Sequence, residues 1–440
     1  MSVLSNRASL TVSGILSGFG EGFILPLIVI AAYVLHLNAG LLTVGAVPAI
    51  AFGLRSAGNL AGSRIIRDAQ RRKPWAFAAH VLRTGSVALI AWIAWRENVL
   101  PEDRLQSFLM TFGVFSFFSG VASSTTSSLG RVATDPAGRV RLYATRAILA
   151  AGIGIISGAI IHETFTIENQ SIDRSFALLF VVAAAAMAGS AFLVLLVRER
   201  PALIPRTATT PGGTPAFARS MSVFRRYIVV RALFAATAAA DVFLIVFALR
   251  ELSFDLEDLG LAAMAFCGSL ALGNVFWTLA GPSVLSRSII QTGAVFRVVP
   301  YLIAFSLPLF EESAYYQEHA SAGTIARWAI VAAFAALGFA GASIASGGFT
   351  FLMSVSTTMA PSFTSMTTAV IAPFSLLAIG GGWAVKEWGF DTLFSAALAL
   401  SIVTLLSTGF LPVTARKRPQ SGAGIAGPAP SMRANRLLSR

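Results

Sequence analysis

The chain is short of charge, of cysteine and of lysine, and each shortage excludes something. Charged residues make up 12% of the 440 positions and hydrophobic ones 55%, where a soluble domain carries about 25% charged residues. So little charge cannot cover a water-facing surface, which rules out a string of soluble domains and leaves lipid as the solvent. Cys267 is the only cysteine, so no intrachain disulfide and no cysteine-built zinc cluster can form. In its apolar run it reads as a small packing residue. Lysine occurs only at Lys73, Lys386 and Lys417, so the net charge of +13 is carried almost entirely by arginine. Soluble-enzyme motifs are missing as well. There is no phosphate loop, no His-Glu-x-x-His, no Cys-x-x-Cys and no serine nucleophile elbow, so neither an enzyme nor a cofactor is expected.

What is present is a succession of apolar segments long enough to cross a bilayer. They lie near 10–35, 41–62, 75–95, 105–128, 143–162 and 175–197, and then near 227–249, 259–280, 288–310, 326–347, 366–386 and 391–411. The first apolar run is too long for a cleaved secretion signal and reads as a retained anchor. Residues 198–226, polar and rich in Pro, Gly and Thr, read as a linker between an N-terminal bundle over 1–197 and a C-terminal bundle over 227–412. Residues 413–440 read as a disordered basic tail.

Charge placement sets an orientation. Arg64, Arg67, Arg71, Arg72 and Lys73 cluster in one loop, Arg131, Arg139 and Arg141 in the next but one, and further arginines in the linker and tail. The alternate loops hold Glu97, Glu102 and Asp103, then Glu163, Glu168 and Asp173, then Glu251, Asp255, Glu257 and Asp258, then Glu311, Glu312 and Glu318. Positive loops stay inside, so both termini and the linker are expected in the cytoplasm and the protein in the inner cell membrane. The basic excess belongs to these loops, and no nucleic-acid partner is expected.

The second half repeats the first. EGFIL from Glu21 aligns with DVFLI from Asp241, LAGSRII from Leu60 with LAGPSVL from Leu279, and HVLRTGSVALIAW from His80 with AVFRVVPYLIAFS from Ala294. FSGVAS from Phe118 aligns with FAGASI from Phe339, GAIIHE from Gly158 with GWAVKE from Gly382, and DRSFALLF from Asp173 with DTLFSAAL from Asp391. Each match is short, but all run in order through six pairs of spans, as a parallel duplication requires.

Two parallel six-span halves, a long central linker and cytoplasmic termini resemble the major facilitator superfamily over residues 8–412. The loop between spans two and three, GNLAGSRIIRDAQRRKPW, is similar to the signature of that family: Gly58 begins it, and Arg71, Arg72 and Lys73 supply its basic cluster. Gly62 stands where the signature has aspartate, Asp68 follows nearby, and the arginine signature of span four is missing from FGVFSFFSGVASS. The resemblance implies an all-α membrane fold of twelve helices. It implies a rocking mechanism, with spans one, four, seven and ten facing a central cavity and spans three, six, nine and twelve facing mostly lipid.

A charge in the hydrocarbon core costs roughly 2.5–3.5 kcal/mol on insertion scales and marks a candidate site. Glu21, bracketed by Gly18, Gly20 and Gly22 at mid-span, reads as a proton-coupling or substrate-contacting carboxylate, because burial without a partner raises a carboxylate toward neutrality. Its repeat partner Asp241 is the counterpart, either functional or held in a pair with Arg231 or with an arginine across the bundle. Arg55, Arg83, Arg231 and Arg297 are candidates for gating or ion pairing, set against snorkelling or, for Arg83 and Arg297, an interhelical tether. Asn274, His80 and the hydroxyl runs at Ser123–Ser128 and Ser356 are candidate polar lining. Trp92, Trp95, Trp328 and Trp388 suit an interfacial belt.

These residues suit a secondary transporter of a small molecule, a monomer driven by protons. A largely apolar cavity would favour efflux. The alternatives are an uptake permease or uniporter for a small metabolite, a transport-inactive assembly factor or sensor, and, least favoured, an enzyme on lipid-linked substrates.

Overall fold

A computed structural model describes residues 3–67, 69–133, 136–199, 215–252, 254–280, 284–313, 322–355 and 360–413. The described residues form helices joined by short turns. The first half supplies spans one to six: Asn6–His36, Leu41–Arg67, Lys73–Trp95, Pro101–Gly130, Thr145–Thr166 and Ile172–Leu195. The second supplies Ser220–Glu251, Asp258–Ala280, Ser286–Phe310 and Gly323–Val355 as spans seven to ten, then a 45-residue stretch, Met366–Phe410. At 1.5 Å per residue that stretch would be about 68 Å long, twice a bilayer core. Gly389 divides it: its φ of 82° and ψ of 174° reverse the chain, a conformation open to glycine and strained for any other residue. Span eleven therefore runs to 388 and span twelve from 390. Every expected span is present.

The helix of span seven begins at Pro215, inside the stretch expected to be linker. A polar composition argues against contact with lipid but not against a helix, whose hydrogen bonds are made within its own backbone. The remainder of that linker, the tail from 414, Asp68 and the Ser356 hydroxyl lie outside the described residues. Trp92, Trp95, Trp328 and Trp388 are all exposed on the outer surface.

One face of the molecule, the terminal face, carries the chain start, the 2–3 loop and the end of span six, where Arg198 meets Asn6 and Glu199 meets the Arg72 and Lys73 backbone; the other is the far face. On the far side a single apolar core joins both halves. Phe23 to Val34 of span one pack with Val242 to Ala248 of span seven, together with Phe108, Phe176, Phe334 and Phe394. On the terminal side the cores are separate. Phe224, Tyr227, Phe351 and Phe363 cluster in the second half alone, and Leu10, Ala76, Leu129 and Val194 in the first alone. Among the described residues the two halves thus share a core toward the far face and keep separate ones toward the terminal face.

The far-side seam is backbone on backbone. A Cβ on Gly260 of span eight would run into the Gly158 carbonyl and His162 of span five, and one on Gly382 of span eleven into the Leu41 carbonyl of span two. His162 Nδ1 lies 3.0 Å from the Glu257 carbonyl oxygen across the same seam. The departure from the family signature at Gly62 has a similar cause. Span four crosses span two there so closely that a Cβ would meet Ser124 Oγ, while Gly58 faces the Phe117 carbonyl and Gly120 the Arg55 carbonyl. Small residues four apart permit this approach, and an aspartate at 62 would have to displace Ser124 and crowd the Val121 backbone.

Four spans are irregular at mid-depth. Span one breaks at Phe23–Leu25 and resumes as a π turn at Pro26–Ile30, and span two makes a π turn at Ala49–Leu54 after Pro48. Span seven tightens to a 3₁₀ turn at Ala238–Ala240 and span eleven at Ala372–Leu376. Proline removes a helical donor and crowds the preceding turn, which accounts for three of the four. Such turns concentrate at functional positions, and these lie beside Glu21, Arg55 and Asp241.

Candidate functional site

Ser17 and Glu21 sit one turn apart on span one, on the same helix face. Arg83 of span three reaches both. Its Nη1 donates to Glu21 Oε1 at 3.2 Å and its Nη2 to Ser17 Oγ at 3.0 Å. Arg55 of span two, following its π turn, donates from Nη2 to Glu21 Oε2 at 3.4 Å. The second half repeats the arrangement with Thr237 and Asp241, again one turn apart. Arg297 of span nine donates from Nη2 to both Asp241 oxygens, at 2.8 and 2.7 Å, and from Nε to Thr237 Oγ1 at 3.2 Å. The duplication read from short sequence matches is therefore also a duplication of a hydrogen-bonded acid–arginine–hydroxyl unit.

The two units differ in closure. The Tyr301 hydroxyl lies 2.6 Å from both Asp241 Oδ1 and the Thr237 carbonyl oxygen, and its ring flanks the Arg297 guanidinium. The equivalent position in the first half is Val87, which has no hydroxyl. Asp241 keeps 6% of its side-chain surface exposed and Glu21 keeps 33%. The first unit is open to a cavity and the second is sealed.

Two cavities meet at Glu21. One, of about 200 Å³, extends toward the far side between Ile24, Leu27, Phe52, Phe112, Phe115 and Phe266. The other, of about 430 Å³, extends toward the terminal face and is polar: Ser17, Arg83, Arg146, Ser123, Thr126 and Ser127 contribute to its wall. Glu21, Arg55 and Ser119 belong to both. Three arginines thus face one carboxylate in the polar chamber, with His80 beside them bonded through Nε2 to Thr126 Oγ1 at 3.0 Å.

Several expectations change. Glu21 does not stand alone: two arginines hold it, so burial without a partner is not its condition. Asp241 pairs with Arg297 and not with Arg231, which lies ten residues, about 15 Å of helical rise, away on the same span. Arg231 meets no carboxylate among the described residues. Arg83 and Arg297 do not snorkel and spans three and nine do not face only lipid, because both guanidinium groups are buried, at 3% and 8% exposure, and point into the bundle. The cavity is not largely apolar, since an apolar chamber is joined to a cationic one. Asn274 is half-buried and lines neither chamber.

Sequence reasoning missed Ser17, Thr237, Tyr301, Ser119 and Arg146. The first two were findable, because each precedes a matched acid by four residues. Tyr301 follows matched Arg297 by four. Ser119 carried no signal among the many hydroxyls of span four, and Arg146 looked like a boundary charge at the start of span five.

No family model and no curated protein sequence matches the chain. Solved structures do match. A D-xylose–proton symporter superimposes with a TM-score of 0.71 at 14% identity, over 94% of this chain and 99% of that one. The xylose transporter XylE from E. coli, inward open, gives 0.68 at 13% over 94% and 98%. A mutant of the nucleoside transporter NupG gives 0.66 at 15% over 92% and 99%. With twelve helices in two parallel sixes and near-complete overlap in both directions, the chain has the fold of the major facilitator transporters.

Proposed function

We propose that the protein is a secondary transporter that moves a small solute by alternating access, coupled to protons through Glu21. The observation that carries this is the contrast between two equivalent units: Glu21 is reachable from a cavity shared by two chambers, while Asp241 is closed under Tyr301. An acid that must exchange partners during a cycle has to be accessible, and an acid that only holds helices together does not. Glu21 binds a proton when its arginines are drawn away, and releases it when they return. The shared core on the far side and separate cores on the terminal side correspond to a state open toward the terminal face. By the placement of the basic loops, that face is cytoplasmic and the state is inward-facing.

The test uses spin labels on Glu168→Cys and Asp255→Cys in a Cys267→Ala background, placed on either side of the far seam. Distances are measured in lipid nanodiscs from pH 5 to pH 8. Two populations, short and long, are expected, with a ratio that changes with pH, and Glu21→Gln removes the pH dependence. A single distance at every pH in the unmutated site would refute alternating access. A Glu21→Gln protein as pH-dependent as its parent would refute the coupling role.

A further inference from the structure

We infer that the solute is a small monocarboxylate carrying one ring-sized apolar group, with its carboxylate on Arg55 and Ser119 and its ring in the phenylalanine-walled chamber. This rests on the transport reading above and adds the substrate class to it. Four observations lead there. The two chambers share only Glu21, Arg55 and Ser119, so a ligand that occupies both passes its polar group through that waist.

Second, the waist holds hydrogen-bonding capacity that the protein does not use up. Ser119 Oγ is buried with no hydrogen-bond partner among the described residues. Arg55 makes one contact, the long one to Glu21, and has 41% of its side chain exposed. A guanidinium carries five N–H donors in a fork matched to a carboxylate, so most of its capacity is unspent. Buried polar groups in native proteins are normally satisfied, and a carboxylate placed here would accept from both residues.

Third, the sign of the charge is set. Arg55 and Arg83 against Glu21 leave an excess of positive charge where the chambers join. That attracts an anion and repels a cation. Fourth, the apolar chamber limits the tail. Its volume is about 200 Å³, and an engineered apolar cavity of about 150 Å³ holds benzene. Phe52, Phe112, Phe115 and Phe266 offer faces and edges for a ring. A ring is held whole within that volume, whereas a long acyl chain would have to run out of it.

The experiment is equilibrium binding of radiolabelled phenylacetate to the full-length protein in detergent, with competition by phenethyl alcohol, acetate and dodecanoate. Phenylacetate is expected to bind, and each competitor to be at least tenfold weaker. Arg55→Gln is expected to weaken binding by more than tenfold. Ser119→Ala is expected to weaken it by about tenfold, the size of one hydrogen bond to a charged group. Ala51→Phe, which fills the apolar chamber, is expected to abolish it. The inference is overturned if phenylacetate does not bind, if phenethyl alcohol or dodecanoate binds as well, or if both Arg55→Gln and Ser119→Ala bind like the parent. The spin-label distances report alternating access separately. Two populations without phenylacetate binding overturn the substrate class and leave transport standing.

Discussion

At the scale of residues, a duplicated unit takes two different forms. Asp241, Arg297, Thr237 and Tyr301 form a closed network in which each polar group has a partner. Breaking a buried ion pair by removing one member leaves an uncompensated charge, a loss of about 3–5 kcal/mol. Arg297→Leu should therefore lower the thermal unfolding midpoint of the purified protein sharply, and the double variant Asp241→Asn with Arg297→Leu should recover much of that loss. Arg55→Ala should shift the same midpoint little, because its half-exposed contact with Glu21 is worth at most about 1 kcal/mol. The charged members of both units were legible in the sequence, since an acid or arginine inside an apolar run is conspicuous. Their pairing was not, because depth along a helix does not say which neighbour a side chain faces. The neutral members were hidden for a different reason: serine and threonine are unremarkable in membrane helices, where they bond their own backbone.

At the scale of elements, the spans were legible to within about five residues, apart from the start of span seven and the end of span ten, because lipid imposes length and apolarity together. The breaks were not. Only Pro26, Pro48 and Pro373 hinted at them, and the 3₁₀ turn before Asp241 has no proline at all. The close crossings were also illegible, since a glycine reads the same whether it faces lipid or another backbone. Two substitutions test these crossings. Gly62→Asp, which restores the family signature, should destabilise the protein by about 1–3 kcal/mol through overpacking against span four, measured by loss of folded yield and a lower unfolding midpoint. Gly158→Leu should wedge spans five and eight apart. The label pair across the far seam should then show the long distance even where the parent shows the short one.

At the scale of the whole molecule, the six-plus-six arrangement came from sequence matches and alternating loop charge together, and the described helices agree with it. Sidedness rests on the basic loops alone, and it yields a plain prediction. Alkaline phosphatase needs an oxidising compartment for its disulfides, so a fusion within residues 200–214 should be inactive and one at Glu168 active. Reversed activities would invert the inward-facing assignment. With a shared core on one side and separate cores on the other, the alternating access proposed above would cost apolar burial at the far side, which closure on the terminal side would have to offset.

Cys267 lies on span eight against Gly154 of span five, at that far-side seam, and is 5% exposed. It is also the only sulfhydryl in the chain. On the transport reading proposed above, a membrane-impermeant maleimide added from the far side would react only while the seam is parted, so the alkylation rate of the unmodified protein would scale with the fraction of time that the thiol is accessible. Opening at the far side would then be readable from one thiol, with no mutation and before any solute has been identified.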